Sequence, residues 1–329
     1  MLVVSLSLGL TPGVLAADWL VYEGTNGPGH GKRIVFVSGD EEYRSEEGLP
    51  MLARVLAFRH GFKCTVLFAI DPSDGTINPT ILTNIPGMAA LDQADLCVLG
   101  LRFRELPDSQ MKHFVDYLEA GKPVVGLRTS THAFQYQRRK DSPYARYDWR
   151  DKDWPGGFGQ QMLGETWVAH HGEHGRESSR GIVNDAAKAD PLLRGVSDVW
   201  VPTDVYEVVH LPRDAKVLLW GQVLAGMKPT DSPVPGAKNA PLMPVAWVRE
   251  YAWPAGKVSK VFTTTMGAAV DLENEDLRRL LVNACFWGVG LSIPQRADVA
   301  CVGEYQPLWF GFGKFKPGVK PDDLGRAVP

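Results

Sequence analysis

The sequence predicts an α/β protein: a parallel sheet flanked by helices, with long loops and a C-terminal tail. Three observations carry this. Short apolar runs that end in polar or glycine turns alternate with stretches of helical periodicity through the first half of the chain, which is how βαβ units read. One run, residues 94–101 (ADLCVLGL), is apolar enough to be buried on both faces, as strands of parallel sheets are. The composition holds 34 Gly, 24 Pro and 10 Trp in 329 residues, which suits many shaped loops better than a compact helical bundle.

Taken in order, residues 33–38 (RIVFVS) form the first strand and run into Gly39-Asp40. Residues 45–60 place Leu49, Leu52, Val55, Leu56 and Phe58 in a broadly helical pattern, with Ser45 as N-cap and Gly61 closing the helix. Residues 63–69 are the second strand and 94–101 the third. Residues 107–120 form a helix with Gly121 at its C-cap, and residues 122–127 are the fourth strand. The second half is less regular. Residues 181–183, 203–209, 216–220, 245–251 and 259–264 read as strands, and residues 271–289 as a strongly amphipathic helix. A Pro/Gly-rich loop, residues 225–241, lies between them. The tail from Pro294, with Tyr305, Trp309, Phe310, Phe312 and Phe315, is expected to wrap the surface or cover a neighbour. There is no internal repeat and no low-complexity tract.

The chain is 44% apolar and 22% charged, enough for a substantial core, which excludes a disordered or fibrous protein. Its length allows two domains of about 150 residues. The strand order favours one α/β domain over residues 32–293, followed by a tail over 294–329. The 35 Lys+Arg against 38 Asp+Glu give a net charge of -3, which argues against broad nucleic-acid binding. Residues 2–10 (LVVSLSLGL) are apolar but shorter than the roughly 20 residues of a membrane span. Val14 and Ala16 suit a signal-peptidase cut, although the usual positive start is missing. Residues 1–17 are therefore expected to be a signal peptide or its remnant, and the protein to be exported, periplasmic or extracellular. No other stretch is fit to span a membrane. Cys64, Cys97, Cys285 and Cys301 share no metal-type spacing; they read as buried thiols, with a Cys285–Cys301 disulfide as the alternative in an oxidising compartment.

In open parallel sheets ligands bind beyond the carboxyl ends of the strands. After the first strand come Asp40, Glu41, Glu42, Tyr43 and Arg44. After the third come Arg102 and Arg104, and after the fourth Arg128, Thr129, Ser130, Thr131 and His132. Four arginines are thus expected to point at one crevice, with Glu42 and His132 nearby. The fixed guanidinium fork suits carboxylates and vicinal hydroxyls. The plainer alternative is ion pairing between loops, such as Arg44 with Glu46 or Arg104 with Glu105.

A second signal is His170-His171-Gly172-Glu173-His174, which holds three of the eight histidines. Histidine titrates near neutrality and, as the neutral ring, binds metals. His170 and His174 at i, i+4 would share a helix face, but Gly172 and Gly175 argue for a loop, and the order of residues is not that of a HExxH zinc motif. A third is Thr203-Asp204-Val205-Tyr206-Glu207, where Asp204 can orient a histidine or accept from a sugar hydroxyl, unless the stretch is an ordinary strand. Trp149, Trp154 and Trp167 flank the histidines; indole faces suit the apolar face of a sugar, though core packing is their commoner use.

The position after the fourth strand is where several α/β enzymes carry a nucleophile elbow. A Cys there would indicate a glutaminase; all four cysteines lie elsewhere, and Ser130 with His132 does not make a G-x-S-x-G motif. The glycines between Gly24 and Gly29 precede the first strand, the wrong side for a phosphate-binding loop.

Several stretches together resemble one family. They are GDEEYRSEEGLPMLA (39–53), GKPVVGLRTSTHAF (121–134), PLMPVAWVREY (241–251), KVFTTTMGAAVD up to Asp271, and the helix ending LLVNACFWGVG at Gly290. The chain is similar to the ThuA-like (trehalose-utilisation) family over most of residues 32–293. Family members commonly show a Pro-Val-Ala-Trp strand, a strand ending in Gly, and a last helix of this kind. The resemblance implies a flavodoxin-like fold of the class I glutamine amidotransferase type. It departs where many members carry His after the fourth strand, here Arg128, and where many carry Gly-His, here Gly267-Ala268. The resemblance also implies a role in sugar catabolism beside sugar oxidoreductases, in systems that oxidise a glycoside at the 3-position before cleaving it.

The function expected is that of an exported enzyme acting on a sugar or an oxidised (keto) glycoside. A proton on the carbon beside a carbonyl is acidic enough for a His or Glu base, and arginines can stabilise the enediolate that forms. His132 or His171 is the expected base. Arg128 and Arg44 would steady the oxyanion, and Glu42 and Asp204 would hold hydroxyls. Asp40, Tyr43, Arg102, Arg104, Ser130, His170 and His174 would complete the substrate contacts. The alternatives are a carbohydrate-binding or accessory protein without chemistry, and a metal-dependent hydrolase built on the cluster from His170 to His174. No cofactor is expected, a divalent metal belonging only to that last alternative. The expected partner is a small-molecule sugar, not nucleic acid or a membrane, with a homo-oligomer as a further option.

Overall fold

The computed structural model describes residues 18–325, so the segment read as a signal peptide lies outside the described residues. Ten strands form one sheet: β1 (Trp19–Glu23), β2 (Arg33–Gly39), β3 (Lys63–Phe68), β4 (Leu96–Leu101), β5 (Val124–Leu127), β6 (Ser178–Val183), β7 (Val199–Val201), β8 (Lys216–Leu224), β9 (Met243–Ala252) and β10 (Val258–Thr264). Their order is β1-β3-β2-β4-β5-β10-β9-β8-β6-β7. The centre, β3-β2-β4-β5-β10, is parallel. β1 at one end and β9, β8, β6 and β7 at the other are antiparallel additions. The sheet is therefore mixed. β9 returns to β10 through a turn at Gly256, and a short turn permits only an antiparallel neighbour.

Every residue of β4, and all but the first of β2, is buried, which is why these strands read as continuous apolar runs. Alternate residues serve opposite layers. Ile34 and Phe36 pack with α1 (Ser45–His60) and α3 (Glu275–Gly288); Val35 and Val37 pack with α2 (Asp108–Glu119) and the segment around Tyr147 and Phe158.

Two expected elements differ. Residues 203–209 are not a strand: pairing stops with β7, at Pro202, which has no amide hydrogen to donate, and the stretch continues as a loop with a single bridge from Tyr206 to His170. The long helix expected over 271–289 is split at Asn274, whose side chain accepts from the Leu277 amide at 2.8 Å and caps α3; a short 3-10 turn, Ala269–Glu273, precedes it.

The tail wraps the chain's own surface. Arg278 and Arg279 of α3 donate to the Val299 and Ala297 carbonyls, and the Leu308 amide reaches Glu47 of α1 at 2.9 Å. All four cysteines are free thiols, and burial pushes those of Cys64, Cys97 and Cys285 up. Among the described residues no helix is long and apolar enough to cross a membrane.

Candidate active site

Among the described residues, three other than glycine hold left-handed backbone: Arg44 (φ 59°), Phe103 (φ 52°) and Arg128 (φ 41°). Each follows a parallel strand, β2, β4 or β5, at the carboxyl edge of the sheet. This conformation costs free energy in residues with a Cβ and clusters at functional sites. The third sits where a nucleophile elbow would be, with an arginine in place of a nucleophile. The first loop is tied by Asp40. Its Oδ1 accepts the amides of Glu42 (2.7 Å) and Tyr43 (3.0 Å), and its Oδ2 accepts from the Thr129 hydroxyl of the third loop.

The centre of the site is Asp204, which is 2% exposed. Its carboxylate accepts from Arg128 Nη2 at 2.9 Å, His170 Nδ1 at 2.7 Å and His174 Nδ1 at 3.0 Å. Burial alone would raise its pKa. Hydrogen bonds from the two imidazoles and the charge of Arg128 outweigh that and hold the carboxyl well below the usual range. The Arg128 guanidinium lies between the rings of Tyr43 (4.1 Å) and Tyr206 (4.3 Å) and also donates to the Thr265 carbonyl at 2.7 Å. Because an ionised Asp204 can only accept, Nδ1 of both histidines donates to it, which leaves Nε2 of a neutral ring with the lone pair a general base needs. Both rings are about one-third exposed, His170 at 36% and His174 at 32%. His174 Nε2 lies 3.5 Å from Glu42 Oε1. Burial and neighbouring Asp40 raise the Glu42 carboxyl despite Arg102, Arg128 and His174.

Aromatic rings wall this group. Trp167 packs against His132, His170 and Tyr206, with ring centroids 5.1, 4.9 and 4.8 Å away. On the other side Phe310 of the tail packs against Tyr43 (5.6 Å) and His174 (5.2 Å). At the rim Arg102 pairs with Glu41, lies 3.8 Å from Glu42, and sits over the rings of Phe103 (4.3 Å) and Phe312 (4.9 Å).

The structure thus brings together Glu42, Tyr43, Arg102, Arg128, His132, His170, His174 and Asp204. It uses the other expected residues differently. The four arginines do not converge on one opening. Arg44 and Arg104 are fully buried; Arg44 donates to the Glu41 carbonyl at 2.6 Å and faces Glu46 at 3.6 Å. Arg104 ties the carbonyls of Pro79, Ile81 and Arg102 and the Glu41 carboxylate, not Glu105. Arg128 is 1% exposed, so it positions Asp204 from beneath instead of facing an oxyanion. His132 is 3% exposed; burial and the charges of Arg102 and Arg128 push its pKa well down, so it makes a poor proton acceptor. His171 turns away, its Nε2 bonded to the Lys238 carbonyl at 2.8 Å. Ser130 is fully buried, donating to the Leu99 carbonyl and accepting from the Leu101 amide, and Asp40 is spent on its loop.

Sequence reasoning did not assign Glu41, Phe103, Phe310 or Phe312 to the site. The aromatic cluster in the tail was the available signal for the last two; nothing in their spacing places them against His174 and Arg102. For a metal, His170, His174 and Asp204 offer ligand atoms within 4.8 Å of one another. Chemically the arrangement holds two basic imidazole nitrogens, a carboxyl biased towards its neutral form, one accessible guanidinium and flat apolar walls.

Known proteins bear on what this edge serves. No curated protein matches the chain. A ThuA-like protein of Parabacteroides merdae, known from its crystal structure, superposes with a TM-score of 0.51 at 14% identity, covering 80% of this chain and 92% of that one; this likeness speaks for the fold. A ThuA-like protein of Bacteroides uniformis gives a TM-score of 0.43 at 13% identity, again over 80% and 92%. The family profile described as trehalose utilisation matches residues 33–288, which include both histidines, Asp204 and all three strained loops. The chain belongs to the trehalose-utilisation (ThuA) family, and its role is a sugar-related one.

Proposed function

We propose that the protein is an enzyme of sugar catabolism that acts on a sugar or an oxidised (keto) glycoside by acid–base chemistry, with His170 and His174 as the candidate bases. The observation that carries this is Asp204. It is buried, ionised, and bonded to Nδ1 of both rings, so that it fixes their tautomer and stabilises the imidazolium formed when Nε2 takes a proton.

In a glycoside oxidised at C3, the C2 proton lies beside the carbonyl. Its transfer to a histidine Nε2 leaves an enediolate, whose charge Arg102 is placed to stabilise. The electron pair then either expels the C1 oxygen, with a proton supplied by Glu42, whose carboxyl burial and Asp40 raise, or takes a proton at C2 on the opposite face. The first outcome cleaves the glycoside and the second isomerises it. Trp167, half-buried at the wall of the crevice, supplies an apolar face for the ring. The test is turnover of 3-keto-trehalose by His170→Ala and His174→Ala, read by mass. At least one should lose about 10²–10⁴-fold in rate. Binding without product in the unaltered protein would instead favour a non-catalytic carbohydrate-binding role. Export through residues 1–17 belongs to this reading, and an intact N-terminus on the protein from its native cells would count against it.

The histidine–aspartate group also supports a second reading, a metal-dependent hydrolase. The acid–base reading comes first because Arg128 already neutralises Asp204, so a cation at that carboxylate would face a buried positive charge. Stoichiometric zinc, manganese or iron in the purified protein would reverse that order.

A further inference from the structure

The family match ends at residue 288, yet the tail beyond it returns to the crevice. Two hydrogen bonds hold it there: the Leu308 amide to Glu47 Oε2 at 2.9 Å, and the Gly311 amide to the Glu42 carbonyl at 2.7 Å. The second ties the tail to the backbone of a residue already placed at the chemistry. Gly311, at φ 135°, turns the chain so that the rings on either side of it take different partners. Phe310 is buried against Tyr43 and His174. Phe312 is 60% exposed and lies under the Arg102 guanidinium, 4.9 Å from its ring centre.

Exposed aromatics are ordinary when they stand alone. This one carries a planar donor over one of its faces, and the donor adjoins Glu42, so an exposed aromatic ring and a hydrogen-bonding fork are stacked at the rim, next to the reacting groups. A pyranose has matching parts, an apolar face of C–H bonds and equatorial hydroxyl pairs. We propose that Phe312, stacked on Arg102, forms a second sugar subsite, supplied by the tail, that holds the ring on the far side of the scissile bond and so selects a disaccharide over a single sugar. This deepens the acid–base reading and rests on it.

The test compares 3-keto-trehalose with 3-keto-glucose on the unaltered protein, Phe312→Ala and Phe312→Trp. Phe312 is exposed enough for its replacement to leave folding intact, and melting curves check this. The unaltered protein should prefer the disaccharide. Phe312→Ala should reduce that preference about tenfold, mainly through KM, since loss of one aromatic contact removes binding made equally in the ground and transition states. Phe312→Trp should restore it. An unchanged preference in Phe312→Ala overturns the subsite and leaves the acid–base reading standing. Failure of the unaltered protein to bind or convert either sugar overturns both.

Discussion

Asp204 of the crevice and Glu46 of α1 are both buried carboxylates. They are similarly hidden, at 2% and 7% exposure, and each faces an arginine. Their protonation is nevertheless opposite. Asp204 accepts from Arg128, His170 and His174 and stays ionised well below the usual carboxylate range. Glu46, in the first turn of α1, has no hydrogen bond to either oxygen, its nearest cation being Arg44 at 3.6 Å, and burial pushes it up to about 7. It lines a cavity of about 470 Å³ between α1 and the tail, beside Glu47, Arg54 and Lys316. Burial penalises charge in both places, so the donors decide the outcome. The crevice stores a negative charge that two imidazoles use; the first turn of α1 leaves a carboxyl at the edge of ionisation.

Asp204→Asn attacks the stronger side and should have the largest effect. The amide can no longer fix both imidazole tautomers or balance an imidazolium, so turnover should fall about 10²–10⁴-fold. It also leaves Arg128 buried without its carboxylate, at a cost of about 3–5 kcal/mol. Denaturant unfolding separates the two effects, because Asp204→Leu with Arg128→Met should recover much of the stability and none of the activity. The folded Asp204 pKa is depressed, so its stabilising contribution is present above the unfolded value and fades as pH falls towards the folded one. Activity retained in Asp204→Asn would break the comparison outright.

Glu46→Gln probes the weaker side and should act with the opposite sign. The folded carboxyl titrates at about 7, above its unfolded value of 4.5. Between those values the folded protein holds a proton that the unfolded chain has lost, so stability falls as pH rises through this window. The glutamine variant lacks that slope. It should match the parent near pH 4, below the unfolded value, and exceed it at pH 8, by up to ~3 kcal/mol at 1.36 kcal/mol per pKa unit. Equal pH slopes for parent and variant would show that Glu46 finds donors in solution.

How far such differences can be read from sequence varies along the chain. β2, α1, β3, β4, α2 and β5 are legible because each is coded locally, by an apolar run or a helical period closed by a glycine. The antiparallel half is harder. Residues 203–209 carry the valines and threonine of a strand, but Pro202 ends the ladder and leaves Asp204 in a buried loop. The sheet edge itself is legible, since strand ends gather the polar loops. What each arginine does there is not: Arg104 is consumed by the carbonyls of Pro79 and Ile81, which would otherwise be buried without a donor, and spacing says nothing of their need. The bonds from His170 and His174 to Asp204 join residues 34 and 30 positions apart, and only the folded chain discloses them.

The finest test lies at the residue next to Glu46. Glu47 shares its helical turn and its cavity, but Glu47 Oε2 accepts the Leu308 amide at 2.9 Å. If donors rather than burial govern these carboxylates, the two neighbours should respond oppositely at pH 8: Glu46→Gln stabilises, whereas Glu47→Ala removes a hydrogen bond and costs about 1 kcal/mol. The loss should also be local. The Leu308 amide should exchange with solvent faster, because it anchors the tail on one side of Trp309 and Phe310, while the Gly311 anchor to Glu42 remains. A stabilising Glu47→Ala would mean that even a partnered carboxylate is a burden on that face, and donors would then not be what separates it from the crevice.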